Sequence, residues 1–169
     1  MASFDGGPAG SLPAAVVQAV QQAASATFGL ICGVEPDFQG ASDAGGRWGP
    51  RDGLVGIMPF AGDLAWSLML ELPRQTAAAL APKFAGFDIP FDSADMGDAV
   101  GEITNVLAGD VEARLSAAGM KAELTLPTVV RGRDMDLLLP EGAPSMRLTF
   151  ALPDGAFWLT LARARPRRE

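Results

Sequence analysis

Residues 98–127 read DAVGEITNVLAGDVEARLSAAGMKAELTLP, and the periodicity of their first two thirds decides the fold. Taken as a helix from about Met96 to Ala118, the chain places Met96, Val100, Ile103, Leu107, Val111, Leu115 and Ala118 on one apolar stripe, spaced by threes and fours. Such a stripe has to lie on a hydrophobic layer. Asp98, Glu102, Asn105, Gly109 and Glu112 fall on the opposite side, so a carboxylate and an amide one turn apart share an outward patch. That patch is poorly built for helix stability. Glycine costs about 1 kcal/mol against alanine in a helix interior, yet Gly101 and Gly109 bracket Asn105. Glycines there would let another macromolecule's backbone come close while Glu102 and Asn105 reach into it.

Working outward, Ser11 is placed to cap a first helix with Pro13 in its opening turn, running from Leu12 to Phe28 with Leu12, Val16, Val20 and Ala23 or Ala24 on one side. Phe28 to Val34 is β-branched and aromatic and reads as a short buried strand. Glu35 to Asp52 is Gly-rich and reads as an irregular connection, with Arg47, Trp48 and Arg51 as weak candidates for an interface. Gly53–Phe60 and Leu64–Leu72 form a hairpin about Ala61-Gly62-Asp63. Pro73 opens a minor helix over Arg74 to about Ala81, which Pro82 should end or kink, and Phe84 to Phe91 crosses over in extended form. Asp92 or Ser93 caps the central helix.

Beyond Gly119, Ala122–Val130 is strand-like with Pro127 inside it, which requires an edge, a bulge or a corner because proline cannot donate to a ladder. Arg131 to Pro144 is a polar connection whose Asp134 and Asp136 lack the other ligands of a metal site. Met146–Leu152 and Ala156–Ala162 close a second hairpin about Pro153-Asp154-Gly155. The expectation is an α+β fold, two long helices and a minor one packed on a largely antiparallel sheet of about six strands. The organisation expected is a flexible terminus over 1–10, a single domain over 11–163 and a basic tail over 164–169.

Composition excludes several classes of function. A net charge of −7 argues against phosphate-backbone binding, and no nucleic-acid partner is expected despite Arg163, Arg165, Arg167 and Arg168 near the end. The opening MASFDGGPAGSLP is not a secretory signal, and no run reads as the roughly 18 apolar residues that a bilayer span needs, so the expected location is cytoplasmic, away from membrane. Cys32 has no second cysteine to pair with, and its apolar surroundings suit a buried thiol. With no histidine anywhere, there is no Ser-His-Asp or Cys-His nucleophile, no phosphohistidine relay and no His-containing zinc site.

A Glu-x-x-Asn pair by itself also describes a solvated helix face; the longer spacing is what distinguishes this one. Asp98, three residues, Glu102, two residues, Asn105 and then twenty-one residues to Pro127 resembles the signature of the CheC/CheX family of chemotaxis phosphatases, and Gly109 is similar as well. The order of elements from about Leu12 to Ala162 is similar to the CheX branch. The first helix has no Glu-x-x-Asn, which resembles the single-site CheX form rather than the two-site CheC form.

The resemblance implies hydrolysis of the aspartyl phosphate of a CheY-like response regulator, ending a chemotaxis or two-component signal. It implies that Asn105 holds the attacking water and that Glu102 pairs with the receiver's lysine. Asp98, Gly101 and Gly109 would then lie on the contact surface, with Pro127 structural. The receiver would bring the phosphorylated aspartate and Mg²⁺, so no metal or other cofactor is expected on this chain. A homodimer formed through the sheets is also implied. The alternative within the same fold is a non-catalytic, dimeric scaffold in chemotaxis or flagellar-motor signalling.

Overall fold

The computed structural model of the protein describes residues 11–44, 49–139 and 142–164. The 1–10 segment, Arg47, Trp48 and the arginines at 165, 167 and 168 lie outside the described residues. In chain order the elements are α1 (Ala14–Cys32), β1 (Asp37–Asp43), β2 (Asp52–Gly62), β3 (Trp66–Pro73), α2 (Arg74–Ala85), α3 (Ala94–Ala117), β4 (Ala122–Leu124), β5 (Thr128–Arg133), β6 (Ser145–Leu152) and β7 (Gly155–Arg163). The seven strands make one sheet in the order β1-β6-β7-β3-β2-β4, with β5 also paired to β2. Every pairing is antiparallel. The α+β class therefore stands, with one strand more than expected. Taken as two successive runs, α1-β1-β2-β3 and α3-β4/β5-β6-β7, the sheet order reads the same from both edges.

The helices share one face of the sheet. Val16, Val20, Ala24 and Phe28 of α1, Leu80 of α2 and Met96, Val100, Ile103, Leu107, Val111 and Leu115 of α3 are buried together. They meet Leu54, Met58 and Phe60 of β2, Leu68, Leu70 and Leu72 of β3, and Phe150, Phe157 and Leu159 of the second hairpin. Phe157 stacks between Phe28 at 4.6 Å and Phe150 at 5.0 Å. A smaller cluster on the opposite face, Val55, Met69 and Ala162, is covered by Met135, Leu137 and Leu139 from the connection after β5.

Four expectations about the elements are overturned. Phe28–Val34 is not a strand: α1 continues to Cys32, because Phe28 and Cys32 extend the fourfold-spaced stripe of Val16, Val20 and Ala24. The helix stops only at Gly33, whose φ of 64° is left-handed. Ser11 does not cap it; Pro13 is the N-cap and the Ser11 carbonyl instead accepts from Arg163 at 3.1 Å. Asp37–Asp43, read as irregular, is the edge strand β1 on β6. The minor helix does not stop near Ala81: of the two effects expected of Pro82, ending the helix is ruled out, because α2 runs on to Ala85 before Gly86 turns left-handed. The carbonyl that Pro82 deprives of a partner belongs to Ala78, which faces solvent and can be hydrated. With Phe84 and Ala85 inside α2, the extended crossover is shorter than expected.

One feature of α1 departs from the composition-based reading. It is long and apolar enough to cross a bilayer by length and composition, with a mean hydropathy of 1.3. Its apolar side is occupied by the core, and Gln18 and Gln22 face outward. Cys32 at its end is buried as expected, and burial pushes its thiol up to about 11, against a smaller opposing effect of Lys83.

The central helix is the element that the sequence describes best. Ser93 is its cap, its hydroxyl accepting from the Met96 amide at 3.3 Å, and Asp95 lies in the first turn. Of the expected stripe only Ala118 is exposed, because it is the C-cap. The helix is seated on β2 at a close approach between Thr104 and Gly56, where a methyl group would overlap the Thr104 hydroxyl oxygen. Thr104 is fully buried and donates to the Val100 carbonyl at 2.7 Å, so it has no room to retreat. Gly56→Ala should therefore cost about 1–3 kcal/mol of stability, read as a lower urea midpoint; an unchanged midpoint would show that the helix shifts freely over the sheet.

Candidate functional site

Asp98, Glu102 and Asn105 emerge from α3 on its solvent side, all three exposed. Their neighbours in sequence, Ala99, Ile103 and Thr104, are buried, so the helix is held by one side and presents the other. Among the described residues none of the three forms a side-chain hydrogen bond or ion pair. Asp110 of the same helix behaves differently: it accepts from Arg114 at 3.0 Å and from the Thr27 hydroxyl at 3.4 Å. The Asp98–Glu102–Asn105 run is thus unengaged, whereas Asp110, further along the helix, is held by its neighbours. Glu102 and Asn105 stand three residues apart, placing their Cβ atoms about 5–6 Å from each other.

The edge of the sheet makes the facing wall. β4 and β5 both run along β2, but their registers differ by one residue: Phe60 opposes Leu124, whereas Ile57 opposes Thr128. Residues 125–127 therefore bulge from the ladder opposite Met58 and Pro59. Pro127 falls in that break, opposite a stretch of β2 that contains another proline, and neither ring has an N–H to close the ladder. The strand expected over 122–130 is accordingly two strands with Pro127 between them. The bulge encloses a groove of about 590 Å³ lined by Gly97, Asp98, Gly101, Glu102, Asn105, Leu126, Pro127 and Val129. Arg131 ties this wall to the helix start by donating to the carbonyls of Phe91 at 3.0 Å and Ser93 at 2.6 Å.

The glycines differ in what this chain asks of them. A Cβ on Gly101 would sit 3.4 Å from Val129, in ordinary contact across the groove floor. On Gly97 or Gly109 it would meet nothing within 4 Å. Gly109 lies one turn beyond Asn105 and outside the groove lining. Among the described residues no group of three His, Cys, Asp or Glu side chains could hold a metal ion.

One feature went unnoticed at the level of sequence. Gln18, Gln22, Ser25 and Gly29 of α1 repeat the spacing of Asp98, Glu102, Asn105 and Gly109, and a groove of about 530 Å³ is lined by Gln22, Ser25 and Gly29. The spacing itself was the available signal. It is masked because amides and a hydroxyl replace the carboxylates and the asparagine.

An antiparallel sheet with its helices on one side and an unengaged carboxylate–amide ridge on α3 defines the class, an α+β domain with one exposed helix face beside a groove. The profile of the family described as chemotaxis phosphatase CheX matches residues 54–151. The chain belongs to that family. Nothing matches it among the curated protein sequences.

Solved structures share the fold. The chemotaxis protein CheX from Desulfovibrio desulfuricans superimposes with a TM-score of 0.81 at 22% identity, covering 88% of this chain and 99% of that one. A chain of the CheX-CheY-BeF3-Mg²⁺ complex from Borrelia burgdorferi gives 0.71 at 23% identity, covering 89% and 98%. FliY from Thermotoga maritima gives 0.65 at 14% identity, covering 88% and 86%.

Proposed function

We propose that the protein is a phosphatase acting on the aspartyl phosphate of a CheY-like response regulator. The observation that carries this reading is the pair Glu102 and Asn105, one turn apart, exposed and unengaged beside a groove on a firmly packed helix. Phosphoryl transfer to water passes through a loose transition state in which position and charge neutralisation matter more than a strong base. An amide suffices to orient water. Asn105 enters the receiver's cleft and holds the attacking water in line with the scissile P–O bond. Glu102 pairs with the receiver's lysine and sets the docking register, and Asp98 adds negative charge one turn earlier. The receiver supplies the acyl phosphate and the Mg²⁺ that neutralises it, so this chain needs no nucleophile of its own.

Membership of the family supports the reaction, and the likeness to a CheX solved with CheY supports the kind of partner. A cytoplasmic homodimer is the setting that goes with this reading. The second reading is a scaffold without turnover, because an exposed, unengaged ridge suits docking alone as well as catalysis and one fold serves several functions. Phosphate release separates the two. Incubated with a panel of phosphorylated receivers from the same organism, the protein should accelerate the loss of phosphate from at least one of them. Binding without acceleration would favour the scaffold.

A further inference from the structure

Five large hydrophobic side chains are exposed among the described residues, and two of them flank the ridge of α3. Leu126, 85% exposed, stands on the bulge between β4 and β5 and lines the groove that contains Asn105. Phe87, 61% exposed, follows the left-handed Gly86 that ends α2 and lines a second groove of about 360 Å³ with Ile89, Asp98, Ala99 and Glu102. Asp98 and Glu102 border both grooves. The acidic ridge therefore has one apolar projection on each side.

Neither projection serves this chain's own core. Both sit on backbone that is fixed locally, Leu126 immediately before Pro127 and Phe87 immediately after the Gly86 stop, where φ is 83°. Solvent-exposed apolar groups gain from being covered, and backbone that is already set adds little ordering cost of its own when that happens. A body that brings an acyl phosphate to Asn105 enters the groove that Leu126 also lines. A second copy of this chain seated on the same surface would bury Asn105 and Glu102 and close the site.

We infer that Phe87 and Leu126 are the two apolar grips that hold the receiver domain on either side of the Asp98–Glu102–Asn105 ridge. This inference rests on the phosphatase reading for the identity of the partner. The grips bind substrate and transition state alike, so they set KM and the choice of receiver and leave the chemical step to Asn105. The matching receiver surface carries apolar or alkyl side chains on both shoulders of its acidic phosphorylation cleft.

The test uses the full chain with Phe87→Ser, Leu126→Ser and the double substitution, each checked for an unchanged thermal midpoint and oligomeric state. With the receiver that the parent dephosphorylates best, the double variant should raise KM at least tenfold and keep kcat within twofold. A KM within twofold of the parent, or a fall in kcat at constant KM, overturns the inference while the phosphatase reading stands. A changed oligomeric state assigns the residues to contact between copies and overturns it as well. If the parent hydrolyses no receiver, the phosphatase reading fails separately, and binding of receivers loaded with beryllofluoride and Mg²⁺ decides the matter. Binding by the parent that the double variant loses supports the grips; no binding by the parent, or equal binding by both, overturns them.

Discussion

Asn105→Ala should remove turnover of a phosphorylated receiver, lowering kcat by about 100-fold or more, while the receiver is still bound. The side chain is exposed, has no partner within the described chain, and sits on a helix anchored by the buried Ile103 and Thr104 beside it. Its loss disturbs neither packing nor hydrogen bonding, so a drop in rate cannot be put down to misfolding. Glu102→Ala provides the contrast. Once docked, Glu102 loses water and faces a cation, and truncating one member of such a pair acts mainly on affinity; KM should rise at least tenfold with a smaller change in kcat. Single-turnover decay of the phosphorylated receiver at saturating and sub-saturating protein separates the two effects. Parent-like decay with Asn105→Ala would remove the water-orienting role.

The second large effect concerns stability, on the face of the sheet away from the helices. Glu71 of β3 is fully buried, accepting from Arg147 at 2.7 Å, the Thr160 hydroxyl at 2.6 Å and the Gly49 amide at 3.2 Å. Arg147 lies 4.4 Å over the Trp158 ring, and among the described residues its buried Nε has no hydrogen-bond partner. The guanidinium is held by one carboxylate and one ring. Glu71→Ala removes the acceptor of both the guanidinium and the Thr160 hydroxyl; a fully buried pair broken in this way costs about 3–5 kcal/mol, and because the Arg147 side chain is 25% exposed and can be partly hydrated the expected cost is at the lower end, about 3 kcal/mol. For a chain of this size that corresponds to a thermal midpoint lower by about 10 °C. Glu71→Leu combined with Arg147→Met replaces both charges with apolar groups and should recover most of the loss. A parent-like midpoint for Glu71→Ala alone would show that the pair is not stabilising.

How much of this was legible beforehand depends on where the physics is local. The α3 stripe, its Ser93 cap and both hairpins were readable because repeating apolar positions and turn residues lie within a few residues of each other. The end of α1 was misread because Phe28 and Ile31 have strand-like propensity, whereas the contact that decides is the stacking of Phe28 on Phe157, remote in sequence. β1 was invisible for a related reason: Asp37–Asp43 has little apolar content, and it is a strand because β6 offers it an edge.

For the site, the outward placement of Asp98, Glu102 and Asn105 was readable from spacing alone. The wall opposite was not. Pro127 signals a break in a strand, but the one-residue slip against β2 that lifts Leu126 beside the helix follows from pairing, which no local pattern encodes. The burial of Glu71 is likewise a matter of distant pairing, since its partners come from β6, β7 and the segment before β2.

The mirrored order of the sheet exchanges the topological places of α1 and α3. Gln22 thereby corresponds to Glu102, two side chains of nearly equal size that differ in charge, and Ser25 corresponds to Asn105. The molecule thus carries two helical fronts of related spacing, one with the unengaged carboxylates Asp98 and Glu102, the other with an uncharged Gln22 that already accepts from Arg114 at 3.3 Å. Topological likeness between the two halves therefore coexists with a chemical difference at the one pair of positions where they would otherwise be interchangeable.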